Sequence, residues 1–375
     1  MKIAVNTRVL IENRMEGVAR YIYETLKRMV FDHPDDEFHF YFDRPYSEKF
    51  VFADNVVPHI IGPPARHPLL WYLWFEYSLP SAMKKEGIDV LYSGDTFMSL
   101  KTSVPTLLVC HDINYHHYPE HIKWSHLHFY RYFFPRYHRK ASAIIAVSNA
   151  TKKDIVNSYG LDDSAITVAY NDVPAGFKEL EFSEKLEIRN KISGGKPYFI
   201  YVGSLHPRKN VDGVIKAYEA FRNSNDAEIK LVIYGRIAWK TSGIFNLYNN
   251  SAYKNDIVFV DNRIESVQNA MGAAECLCYV SFLEGFGIPI LEAFHSGIPV
   301  ITSNTSSMPE VAGDAALLVD PQNINEIAAS MDRIINESDL KEDLIEKAEK
   351  TIERFNWQRS SEIIYSKIVE IAGTH

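Results

Sequence analysis

At 375 residues, with 46% apolar and 23% charged side chains, the chain is long enough for two or three globular domains and too rich in apolar residues to be disordered. A net charge of -8 argues against nucleic acid as a general partner. No run approaches the length of a transmembrane helix, and Lys2 leads straight into a strand, which speaks against a signal peptide. The three cysteines, Cys110, Cys276 and Cys278, lie in apolar strand-like runs and read as small core residues of a reducing compartment.

From residue 1 to about 170 the pattern alternates strand and helix. Lys2–Asn6, Glu37–Phe42, Val56–Ile61, Ile88–Tyr92, Thr106–Cys110, Ala143–Val147 and Ile166–Ala169 read as strands. Val18–Val30 reads as an amphipathic helix with Val18, Ile22, Leu26 and Met29 on one face. Ser148 and Asn149 cap a helix that Gly160 stops. A polar passage broken by proline and glycine, 171–196, reads as a connection with a lead-in helix near Ser183–Ile192. The alternation then restarts. Tyr198–Val202, Lys230–Tyr234, Ile257–Val260, Cys276–Val280 and Val300–Thr302 are strands; Val211–Phe221, Val267–Ala274 and Ile288–Ser296 are helices; from Asn323 the chain is helical and charged. Such alternation predicts α/β architecture, two doubly wound parallel sheets covered by helices. Ligands of these sheets bind beyond the carboxyl ends of the strands.

The second half is organised around Phe282–Ala293. There a strand runs through a glycine-punctuated loop, Glu284-Gly285-Phe286-Gly287, into a helix that starts Ile288-Pro289. A helix N-terminus presents orphan N–H groups and favours phosphate, and the glycines allow close approach. Glu284 before the helix and Glu292 within its first turns are placed to accept hydrogen bonds from hydroxyls. Acids beside a phosphate-binding amide cluster suit a sugar nucleotide. Gly203–Asn210 follows a strand, and its Arg208 and Lys209 can neutralise a diphosphate. His111-Asp112 ends another strand, where a His can bond a hydroxyl or be satisfied by Asp112 or nearby backbone. Gly17 stands before the first helix, either as a ligand loop or as a plain transition into it. From His121 to Lys153 there is no acid, while basic and aromatic residues interleave. That stretch fits either an anionic membrane face or a helix with an aromatic core stripe and a solvated basic face. No Asp-x-Asp occurs, so clustered carboxylates for a divalent metal are not evident.

Taken in order, these pieces resemble the GT4 retaining glycosyltransferases of GT-B fold. The resemblance rests on Glu284-Gly285-Phe286-Gly287 with Glu292, Ser204–Asn210, His111-Asp112, Val147–Thr151 and Ser307–Ala315. It implies two Rossmann-like domains facing across a cleft: an acceptor domain over 1–172, a donor-nucleotide domain over 173–356, and a last helix, 357–375, crossing back. It implies that Arg208 and Lys209 bind the diphosphate and that Glu292 binds ribose hydroxyls. Glu284 and the Phe286 and Gly287 backbone would contact the sugar, with His111 bonding it as well. His111, Glu284, Arg208 and Lys209 are the implied catalytic set. Gly17, Gly203, Gly235, Gly285, Phe286, Gly287, Ile288 and Glu292 complete the donor site. One departure is that Glu16 stands where the family often has a first glycine of a pair. No metal and no cofactor are implied. The partners are a nucleotide-diphosphate sugar and a glycan or lipid-linked acceptor of cell-surface polysaccharide synthesis. The expected location is cytoplasmic, and the basic and aromatic stretch leaves open a peripheral contact with the inner membrane through 123–140. Gly235–Trp239 resembles a loop of mannosyltransferase-like members, which favours GDP-mannose and leaves UDP- and dTDP-sugars open. A front-face route is expected, because no acid stands out as a nucleophile. A GT-B epimerase or phosphorylase, or a non-catalytic sugar-nucleotide binder, is the alternative.

Overall fold

The structure is a computed structural model and describes residues 1–12, 15, 17–235 and 242–373. Glu16 and the Arg236–Trp239 stretch, on which the departure and the donor-base preference rest, lie outside the described residues. The chain divides into two compact units, one formed by Met1–Asn171 together with the chain from Asn356 onward, the other by Asp172–Phe355.

The first unit holds seven strands: β1 (Lys2–Asn6), β2 (Glu37–Phe42), β3 (Val56–Ile60), β4 (Val90–Ser93), β5 (Thr106–Cys110), β6 (Ala143–Ala146) and β7 (Ile166–Val168). Their order across the sheet is β3-β2-β1-β4-β5-β6-β7, parallel throughout. Runs such as Ile3-Ala4-Val5 are wholly buried, as strands covered on both faces must be. The helix Gly17–Asp32 turns Ile22, Leu26 and Met29 inward. The final helix, Trp357–Ala372, packs on it: Ser361 Oγ donates to the Thr25 carbonyl at 3.0 Å, and Tyr21 meets Trp357 edge-on at 5.8 Å.

The second unit holds β8 (Tyr198–Val202), β9 (Lys230–Tyr234), β10 (Ile257–Val260), β11 (Cys276–Tyr279), β12 (Val300–Ser303) and β13 (Leu317–Val319). Their order is β10-β9-β8-β11-β12-β13, again parallel. The sequence reading has no β13, because three residues are too few to show a period. Cys110, Cys276 and Cys278 are all buried and reduced. In each sheet the order reverses at one place, between β1 and β4 and between β8 and β11. Such switch points open a crevice at the strand ends, and the candidate residues gather at these two places.

Candidate functional site

In the second unit the chain leaves β8 through Gly203, whose φ is 149° and whose N–H donates to the Tyr234 carbonyl at 3.0 Å. Gly235 ends β9 directly opposite. A Cβ at Gly235 would lie 1.8 Å from the Gly203 carbonyl oxygen, so two backbones touch where any side chain would collide. The turn Pro207–Lys209 follows, capped by His206 Nδ1, which accepts the Arg208 N–H at 3.2 Å. Asn210 adopts the left-handed conformation, φ 55°, and is buried. Its amide donates to the Val280 carbonyl at 3.0 Å and the Pro321 carbonyl at 2.7 Å. This fixes the basic turn against the end of β11, and the Arg208 carbonyl accepts the Phe282 N–H at 3.0 Å.

The β11 loop brings Glu284 beneath those cations. Arg208 donates to one carboxylate oxygen at 3.1 Å and also to the Leu283 carbonyl, and Lys209 donates to the other oxygen at 2.6 Å. Lys209 donates to the Tyr279 hydroxyl as well, at 2.9 Å. The Glu284 side chain is only 8% exposed, so both charges act on it through little solvent. Burial alone would raise its pKa, but Arg208 and Lys209 outweigh that and hold it at about 2. Glu284 is therefore an anion at any physiological pH. The sequence reading aims its carboxylate at ligand hydroxyls; in the structure both oxygens accept from cations, because Asn210 and the Phe282 N–H draw the basic turn onto the β11 loop.

The backbone of Glu284-Gly285-Phe286 is held by hydroxyls from the loop after β12. Ser306 Oγ donates to the Glu284 carbonyl at 2.6 Å, and Ser307 Oγ reaches the carbonyls of Glu284 and Phe286, both at 2.9 Å. The Phe286 ring is buried against Phe355 at 5.6 Å, so its side chain is core and its backbone forms the loop. Gly287, φ 101°, then opens the helix Ile288–His295. Ile290, Leu291, Ala293 and Phe294 face the core, while Ile288, Glu292 and His295 share the half-buried face. Gly203, Arg208, Lys209, Gly235 and Glu284–Ile288 thus meet at the ends of β8, β9 and β11. Two cations over one carboxylate, beside a glycine-capped helix N-terminus, attract an anion.

The sequence reading singles out neither the serines of 303–307 nor Asn210 as bracing residues. Their signal is a run of hydroxyls and a left-handed Asn after a turn; only the pairing of β11 with β12 shows what they hold.

His111 and Gly17 belong to the first unit. Gly17, φ 41°, is exposed at the start of the first helix. His111 follows β5, and its Nε2 lies 2.8 Å from the Gly94 carbonyl. Asp112 instead accepts the Asn114 N–H at 3.0 Å, so the ring is satisfied by backbone. Burial lowers the His111 pKa, outweighing the Gly94 bond and the Asp112 and Asp95 charges, and the ring is neutral at pH 7. The helix Trp124–Lys140 buries Phe129, Phe134, Tyr137 and His138. Its outer face carries Arg131 and Arg136, with Trp124 74% and Tyr132 54% exposed. The helix thus has an aromatic core stripe inside and a basic and aromatic face outside. Among the described residues no helix is long and apolar enough to cross a membrane, and no three His, Cys, Asp or Glu side chains form a metal-binding group.

Family models match both units. The Glycosyltransferase Family 4 model covers residues 15–175, and the model of glycosyl transferases group 1 covers 182–351. The chain is 24% identical to O-antigen chain mannosyltransferase B of Escherichia coli over 362 residues, 93% of this chain and 94% of that one. It is 27% identical to O-antigen chain mannosyltransferase RfbU of Salmonella typhimurium over 285 residues, 74% of this chain and 75% of the relative. Among solved structures, Anabaena HepE in complex with UDP and glucose superposes with a TM-score of 0.75 at 16% identity, covering 98% of this chain and 99% of that one. WaaG, a glycosyltransferase involved in lipopolysaccharide biosynthesis, gives the same score, identity and coverage. With two parallel α/β units, a cationic site at the second switch point and family models over both halves, the chain belongs to the group 1, family 4 glycosyltransferases and has their GT-B fold.

Proposed function

We propose that this enzyme moves a hexose from a nucleotide-diphosphate sugar, with retention of anomeric configuration, to a glycan or lipid-linked acceptor in cell-surface polysaccharide synthesis. The observation that carries the reading is the Arg208–Glu284–Lys209 cluster beside the helix N-terminus at Gly287. Arg208 and Lys209 bring two positive charges to one carboxylate, and the N–H groups at the helix start add to that field. A departing nucleoside diphosphate gains negative charge as its bond to the sugar breaks. Preorganised donors aimed at that charge are a large catalytic term. Arg208 and Lys209 are the leaving-group residues, Gly203, Gly235 and Gly285–Ile288 supply close backbone, and Glu292 binds ribose hydroxyls. Glu284 orients the cations and borders the sugar, and His111 hydrogen-bonds it.

Both Glu284 oxygens are engaged by cations, which supports a front-face route. In that route the anomeric carbon loses its phosphate oxygen and gains the acceptor oxygen on the same face. The acceptor's proton passes to the leaving phosphate. Arg208 and Lys209 supply the positive charge, so no divalent metal is needed. GDP-mannose is the preferred donor, supported by the mannosyltransferase names of the relatives; a UDP-sugar, the ligand class of HepE, is the competitor. The outer face of 123–140 rests on an anionic inner membrane from the cytoplasmic side, with Trp124 and Tyr132 at headgroup depth.

A thermal-shift panel of GDP, UDP, dTDP and their sugars tests the donor. A ligand selective for the folded state at a hundredfold over its Kd adds about 2.7 kcal/mol. A rise with GDP-mannose, absent in Arg208→Ala/Lys209→Ala, is expected; no rise with any member removes the reading. Proton NMR of the anomeric product tests retention. Turnover in EDTA at the untreated rate is expected, and dependence on added Mg²⁺ or Mn²⁺ overturns metal independence. Sedimentation with anionic but not zwitterionic vesicles, weakened by Arg131→Glu/Arg136→Glu, tests the membrane face.

A further inference from the structure

An imidazole offers one donor and one acceptor nitrogen when neutral, and its hydrogen-bond partner decides which is which. At His111 the partner of Nε2 is a backbone carbonyl, that of Gly94, at 2.8 Å. A carbonyl oxygen only accepts, so Nε2 carries the hydrogen and Nδ1 carries the lone pair. The tautomer therefore depends on where the Gly94 carbonyl is held.

It is held from several sides. Gly94 lies in the loop after β4, and a Cβ there would come within 2.4 Å of Ile22 Cγ1. The next residue, Asp95, is buried; one oxygen accepts from Asn6 at 2.6 Å and the other from Arg8 at 2.5 Å. Asp95 also accepts the Phe97 N–H at 3.3 Å, and the Arg8 guanidinium lies 4.6 Å from the Phe97 ring centroid. Thr96 has φ 70°, a strained conformation for a non-glycine residue that persists only where its surroundings fix it. Its hydroxyl donates to the Val109 carbonyl at 3.0 Å, two residues before His111. The loop is thus tied to β1 through Asp95 and to β5 through Thr96. The other groups around the ring do not set the tautomer. Asp112 is turned to Asn114, and Tyr21, edge-on at 5.2 Å, donates its hydroxyl to the Ala169 carbonyl.

We infer that Arg8, Asp95 and Thr96 are positioning residues that hold the Gly94 carbonyl against His111, fixing the Nε2–H tautomer so that Nδ1 accepts a hydrogen bond from a hydroxyl of the bound sugar. The inference rests on the transferase reading above for its consequence but not for its geometry. Strain at Thr96 and the ion pair of half-buried Arg8 with buried Asp95 are the means by which one carbonyl is aimed.

Nitrogen-15 NMR of histidine-labelled protein, with His111 assigned by its loss in His111→Gln, reads the tautomer directly. Wild type is expected as Nε2–H. Thr96→Gly keeps a residue comfortable at positive φ, so the fold survives, but it cuts the tie to Val109. In this variant both tautomers should appear. With the sugar nucleotide chosen by the thermal-shift panel, kcat should fall about tenfold or more while donor KM stays within about twofold, because a misdirected imidazole harms chemistry more than binding. Thr96→Ser, which restores the hydroxyl, should recover tautomer and kcat together. Asp95→Asn should act in the same direction as Thr96→Gly. The inference is overturned by an Nδ1–H wild type, by an unchanged tautomer in Thr96→Gly, or by a kcat that does not follow the tautomer. If no nucleotide sugar is turned over, the transferase reading fails alone, and the tautomers of wild type and Thr96→Gly still decide the geometry.

Discussion

The two switch points have the same architecture and different ion pairing. Between β1 and β4 a half-buried cation, Arg8, faces a buried carboxylate, Asp95, and the nearby His111 is neutral. Between β8 and β11 two cations, Arg208 and Lys209, share one carboxylate, Glu284. In the first, one cation is held by one carboxylate; in the second, one carboxylate accepts from two cations. On the proposals above, the first pairing is a positioning device and the second an anion site, built at the same place in two similar sheets.

Removing one of the two cations on Glu284 should give the largest effect. Arg208→Ala or Lys209→Ala is expected to lower kcat/KM about 10²–10³-fold, the usual cost of removing one group that stabilises developing charge. Steady-state transfer assays check this, and near-normal rates in both variants would remove the leaving-group assignment.

The second contrast is steric. Gly235→Ala sets a Cβ against backbone at 1.8 Å, whereas Gly94→Ala sets one against the Ile22 side chain at 2.4 Å. Backbone cannot rotate away, so Gly235→Ala should cost about 3 kcal/mol or more, in the upper range for overpacking. Gly94→Ala should cost less, because Ile22 can change rotamer. Paired urea denaturation curves measure the gap, and equal losses would contradict the argument.

The third contrast is in pH. The Glu284 pKa falls from 4.5 to about 2 on folding, so it contributes stability above pH 4.5 that is lost as pH drops towards 2. The size is on the order of 3 kcal/mol. Glu284→Gln should flatten that part of the acid limb relative to wild type, as read by melting temperature against pH. His111 also has a lowered pKa, so its contribution is complete above pH 6.5 and declines as pH falls below that value. His111→Gln should therefore flatten a separate window just below pH 6.5, with a smaller amplitude. If the two variants alter the same window, one assignment of charge state is wrong.

How much of this was legible in the sequence depends on the distance over which each feature is encoded. The strands announced themselves because both faces are buried, and runs such as Phe199-Ile200-Tyr201 leave little choice. Arg208, Lys209 and Glu284 were legible as charges at strand-to-helix turns. That they bind one another was not, since 75 residues separate Lys209 from Glu284 and only the adjacency of β8 and β11 joins them. Asp95 and Arg8, 87 residues apart, were missed for the same reason. His111 was marked, but its partner could not be chosen between Asp112 and backbone, because both lie within reach of a strand end. β13 was too short to carry a period.

The alternation of strand and helix, the glycines that let two loops approach, and the kinds of charge at each strand end are written along the chain itself. These are local properties, set by side-chain volume, backbone freedom and the periods of burial. Which cations meet which carboxylate, and which nitrogen of His111 faces the Gly94 carbonyl, follow only from the folded arrangement. Those outcomes depend on sheet order and register, which bring residues far apart in the chain to within hydrogen-bond distance of one another.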